Sequence, residues 1–186
     1  MRNLVIGAIM SFGVCAGLPA HAEIVKTATL DCQGICLHWW PALAVPEGWK
    51  QDIDFSNKNN INFLYPVDGP GNTGIYAGAI GVSGQADTLE GFMADDRAGF
   101  TQRNPDMVVA SGPEMITQDG QVLKSLTFNP AGNTAGKGNW DITAYGEETD
   151  PDGNRYYLTF SLSAPSEALQ ARFMPVFQQV VGAYHK

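Results

Sequence analysis

Two stretches late in the chain alternate apolar and polar residues with a period of two. Trp140, Ile142 and Ala144 alternate with Asp141, Thr143 and Tyr145. Tyr156, Leu158, Phe160 and Leu162 alternate with Arg155, Tyr157, Thr159 and Ser161. A period of two is that of a strand with one face buried, so two half-buried strands are predicted. The polar run from Glu147 to Asn154 between them, with Asp152-Gly153-Asn154 as turn residues, makes the pair an antiparallel hairpin.

The period changes on either side. Leu169, Phe173, Val176, Phe177, Val180, Val181 and Tyr184 form one stripe at helical spacing, which predicts an amphipathic helix over about 166–184. Ser163-Ala164-Pro165-Ser166 opens it, with proline suited to a first helical turn, and Pro175 predicts a kink or short break. A second helix is predicted over about 88–103. Asp87 reads as its cap with Glu90 three residues on, Leu89, Phe92, Met93 and Phe100 as its apolar side, and Asn104-Pro105 as its end.

Further strands are predicted at Ile61–Tyr65, Ile75–Val82, Met107–Ile116 and Gln121–Phe128. The last two are joined by a two-residue turn at Asp119-Gly120. Residues 129–138, rich in Gly and Asn, read as a loop. So does the Pro- and Gly-punctuated segment from His38 to Trp49. The elements sum to an α+β fold, an antiparallel sheet with two main helices.

The first 22 residues carry a different pattern. Arg2, the apolar run Leu4–Val14 and the small-x-small box Ala20-His21-Ala22 predict a secretory signal peptide. The expected organisation is signal 1–22, an N-terminal segment 23–44 and a single domain 45–186. Periplasmic or secreted location follows. Cys15 raises lipid anchoring as an alternative, against which bulky Val14 precedes it. No later apolar run approaches the ~20 residues of a membrane span.

Export gives meaning to Cys32 and Cys36, whose Cys-Gln-Gly-Ile-Cys spacing predicts a small local disulfide. A five-residue ring contributes about 2 kcal/mol in the loop-entropy model. Redox motifs space their cysteines by two residues, and a metal site with only His38 nearby lacks a fourth ligand.

The full chain has a formal net charge of −8. Without Arg2, 10 basic stand against 19 acidic side chains, about −9. Such a charge disfavours nucleic acid and anionic lipid and admits a cationic protein partner.

The order of elements, with Thr88-Leu-Glu-Gly-Phe92 opening one helix, Trp140-Asp-Ile-Thr-Ala-Tyr145, and Tyr156–Ala164 followed by Pro165-Ser166 and the last helix, resembles the PsbP-like superfamily over about residues 45–185. The resemblance implies an α-β-α sandwich and a binding or assembly role rather than catalysis. It transfers no site residue.

Recognisable catalytic patterns are sparse. His38 and His185 are the histidines left after the signal, and no Gly-x-Ser-x-Gly elbow or phosphate loop occurs. No cofactor is expected. Asp150, Asp152 and Asn154 take positions 1, 3 and 5 of a calcium loop, but Gly153 falls at position 4 and Ser161 at position 12, so a plain turn competes. Asp95-Asp96 reads as a solvated helix side.

Aromatic residues supply the candidate partner contacts. His38, Trp39, Trp40 and Trp49 form either a rigid contact patch or a cap on the core. Tyr145 and Tyr157 form a second patch if no helix covers their face, and are buried if one does. The expected function is that of an exported non-catalytic binding protein, an assembly factor or a toxin-neutralising inhibitor. The alternative is a metal-dependent or hydrolytic envelope enzyme. Oligomeric state is not encoded in any pattern found.

Overall fold

A computed structural model describes residues 24–29, 36–131, 138–150 and 152–185, with 24–29 and 36–39 described by backbone alone. The expected signal segment 1–22, with Cys15, and Cys32 lie outside the described residues, as do the side chains of Cys36, His38 and Trp39.

Strand β1 (Ile24–Thr29) pairs antiparallel with β2 (Cys36–Pro41), placing Thr27 opposite His38. The start of the expected loop is therefore strand. Leu, Trp and Trp favour pleated backbone, and Pro41 sits at the strand end, where no ladder hydrogen bond is lost. There follow β3 (Trp49–Gln51), α1 (Ile53–Asn59), β4 (Asn62–Pro66) and β5 (Gly74–Gly81). Helix α1, which no periodicity announced, is set by its ends. Asp52 accepts the Phe55 backbone N–H at 2.9 Å, and Asn60 closes it in the left-handed conformation at φ 56°.

The chain continues through α2 (Leu89–Arg103), β6 (Met107–Ser111), β7 (Met115–Ile116), β8 (Val122–Pro130), β9 (Trp140–Thr149), β10 (Arg155–Ala164) and α3 (Glu167–Gly182). Among the described residues, one antiparallel sheet of 8 strands runs β3-β4-β5-β10-β9-β8-β6, with β7 also paired to β8. The fold is α+β. The predicted hairpin is present, with Thr159 opposite Tyr145 and Leu162 opposite Ile142. No helix among the described residues is long and apolar enough to cross a membrane.

Four local expectations are corrected. Thr88, not Asp87, caps α2, accepting the Gly91 N–H at 3.1 Å, while Glu90 turns outward to Lys124. The β7–β8 connection has three residues between Thr117 and Gln121 instead of two, with Gly120 at φ 85°. That positive φ suits the turn-plus-bulge form of a three-residue hairpin. Pro165 precedes the Ser166 cap of α3 and so lies before its first turn. Finally, of the kink or short break expected at Pro175, the break is absent, since α3 continues through it. An interior proline costs about 3 kcal/mol, whereas each buried side chain among Phe173, Phe177, Val180 and Val181 contributes about 1.5–3 kcal/mol.

Two apolar clusters fill the interior. The larger joins Phe173, Phe177, Val180 and Val181 of α3, and Tyr184 just beyond it, to Leu64, Ile75, Leu158, Phe160 and Leu162 of the sheet. The smaller joins Leu89, Phe92, Met93 and Phe100 of α2 to Leu126, Phe128 and Tyr145. Helix α3 contributes four buried residues to its cluster, but α2 has no buried residue along its 15 positions. It is therefore the more lightly seated of the two helices.

Candidate functional site

Successive strand side chains point to opposite faces, so Tyr145 and Tyr157 share a face with Asp141, Thr143, Thr159, Ser161 and Ser163. Over the first part of that face α2 closes down. Tyr157 stacks on Phe92 with ring centroids 4.7 Å apart, and Phe100 packs at 4.4 Å from Phe128. Over the rest, the positions opposite each other are short and polar. There the sheet face remains open as a groove of about 370 Å³.

The floor comes from β9, β10 and β5. Thr143 Oγ1 and Ser161 Oγ lie 2.8 Å apart in hydrogen-bond contact, and Asn139 donates to Ser163 Oγ at 2.9 Å. Gly78 of β5 leaves the centre clear, since a Cβ there would meet Thr159 Oγ1 at 3.3 Å and Ile61 Cγ2 at 3.6 Å. The walls are Ile61 and Tyr76 on one side and Phe92, Asp96 and Phe100 of α2 on the other. This size falls in the range of small-ligand and anchor-residue pockets.

Two carboxylates face the groove, and no lysine or arginine lines it among the described residues. Asp96 accepts a hydrogen bond of 2.6 Å from the Tyr145 hydroxyl. Burial, then the Asp96 contact, pushes the Tyr145 phenol well above its ordinary range, so it stays a donor. Asp141 has no such partner for its Oδ1, which is buried without a hydrogen bond. Burial raises its carboxyl above the usual range, an effect only partly offset by the Ser163 hydroxyl. Burial also raises the Tyr76 phenol, with Asp141 adding to the effect.

Tyr76 is shared with a second concavity. Its ring stacks on Phe63 at 4.7 Å, and Phe63 in turn lies 4.7 Å from Phe55 and 6.2 Å from Tyr65. These partly exposed rings form an aromatic ledge at the edge of the polar groove.

The expected contact residues lie elsewhere. Trp40 and Trp49 are 6% and 7% exposed, and Trp49 meets Phe173 of α3 edge-on at 5.4 Å. Tyr145 and Tyr157 are fully buried, with the Tyr157 hydroxyl donating to the Ala86 carbonyl at 2.8 Å. These four therefore do not form exposed patches: strand pairing or a covering helix takes each of them inside. The side chains of His38 and Trp39 lie outside the described residues.

Asp150, Asp152 and Asn154 do come together, but as a turn. Asp150 Oδ1 accepts the backbone N–H groups of Asp152 at 3.0 Å and Asn154 at 2.8 Å, and Tyr156 donates to Oδ2 at 3.2 Å. The carboxylate is thus occupied by donors, and no group of three metal-ligating side chains occurs among the described residues. Of the pair read as solvated, Asp95 is exposed while Asp96 faces the groove.

Sequence reasoning missed the groove. Its signal was the run Thr159, Ser161, Ser163, polar positions on a face that Tyr157 shows to be covered. A scan against protein-family models finds no matching family, and a search of curated proteins finds no significant match.

Proposed function

We propose that the chain is an exported, non-catalytic binding protein that engages a cationic segment of a protein partner through the groove between α2 and strands β5, β9 and β10. The role is that of an assembly factor or of an inhibitor neutralising a toxin. The observation that carries this reading is the lining. Hydroxyls, aromatic walls and two carboxylates converge on one concavity that no lysine or arginine lines among the described residues. Complementary charge of this kind favours partner selection and encounter.

Binding is favoured over nucleophilic chemistry by where the hydroxyls point. Thr143 and Ser161 engage one another, so neither is paired with a base in the described contacts, and Ser163 accepts from Asn139 while its own hydroxyl serves the Asp141 carboxyl. A PsbP-like α-β-α sandwich belongs to the same proposal. It is supported by the two clusters that α2 and α3 make with alternate positions of the sheet.

Gly78→Val supplies the test, because valine suits a strand and fills the groove from its floor. Wild type and variant, both folded by circular dichroism, are used to capture partners from envelope extract. A basic protein retained by wild type at low salt and lost from the variant is expected. Equal retention by both would show that binding occurs elsewhere.

A further inference from the structure

Resting on the reading of the groove as a partner site, we infer that the groove is a receptor for an arginine side chain, with Asp141 as the anchor and Tyr76 and Phe100 as flanking rings. A guanidinium is planar, permanently charged and weakly hydrated, and it presents donors in a fork that matches one carboxylate. Asp141 offers the acceptor half of that match, with a buried Oδ1 that no group among the described residues satisfies. A cation entering the groove supplies the missing donor and the missing counter-charge together.

The remaining N–H groups also find acceptors. The Thr143, Thr159 and Ser161 hydroxyls line the floor, and Asp96 lines the α2 wall. Aromatic rings at the sides favour a flat cation stacked on a ring face over a compact ammonium. Lysine, a strongly hydrated point charge, would leave the fork geometry unused.

The test uses the full mature chain and three acetylated, amidated tripeptides, Gly-X-Gly, with X arginine, lysine or citrulline. Backbone amide shifts are followed by nuclear magnetic resonance. The arginine peptide is expected to shift β5, β9 and β10 amides around Gly78, Asp141 and Ser161. Citrulline, which keeps the shape but not the charge, should bind about tenfold more weakly or worse, with lysine between them.

Asp141→Asn should reduce arginine binding by about tenfold or more, and Gly78→Val should abolish it. Both variants are checked for wild-type melting behaviour or better. Absence of shifts with the arginine peptide, equal binding of citrulline, or full binding by Asp141→Asn would each overturn the inference. If Asp141→Asn still captures the envelope partner while Gly78→Val does not, the groove stands and the arginine anchor fails. Capture by both variants removes the groove itself.

Discussion

Asp141 holds its charge against its surroundings, with its Oδ1 buried and unbonded and its carboxyl titrating above the usual range. The groups facing it are Tyr76 from β5, Ser163 from β10 and, across the groove, Asp96 from α2. A carboxyl whose folded pKa is raised contributes stability that is fully present below the unfolded value, about 3.9. That stability is lost as pH rises through the folded value. Asp141→Asn should therefore match wild type near pH 4 and become more stable towards pH 7, by about 1 kcal/mol or a few degrees in Tm. Thermal melts across that range check it, and a variant less stable than wild type at pH 7 would mean that Asp141 serves the fold. In the sequence, Asp141 was legible only as the polar alternate of Trp140 and Ile142. Alternation assigns a face and is silent on whether that face is wet, covered or grooved.

At the scale of elements, α2 and α3 differ in how firmly the sheet holds them. Helix α3 buries Phe173, Phe177, Val180 and Val181, whereas α2 touches the sheet through partly exposed Phe92 and Phe100. Amides of α2 should accordingly exchange with solvent faster than those of α3, as expected where few apolar contacts are buried. Equal protection of the two helices in a hydrogen-exchange experiment would contradict the light seating that leaves the groove open. Both helices and the β9–β10 hairpin could be read from periodicity because each is long enough to show its period. Strands β2 and β3 could not. Their residues show no clean alternation, and prolines and glycines punctuate them, so their strand character comes from pairing, β2 with β1 and β3 with β4, where Lys50 lies opposite Tyr65. Helix α1 was hidden for a related reason, being seven residues long and set by its caps.

For the whole molecule, charge and shape meet at one place. A chain of net charge −8 carries a concavity lined by carboxylates, hydroxyls and rings. Much of the fold was legible because burial leaves its mark in every long element. The site was not, because it arises where three strands and a helix from distant parts of the chain leave a gap. The aromatic residues prominent in the sequence seat the two helices on the sheet instead. Tyr145 and Tyr157 support α2, and Trp49 packs against α3. The most direct measurement is a hydrogen-exchange footprint of the captured partner on the full chain. Protection concentrated on β5, β9, β10 and the groove side of α2 is the result expected. Protection confined to other surfaces, with these segments unchanged, would contradict the assignment of the groove as the binding site.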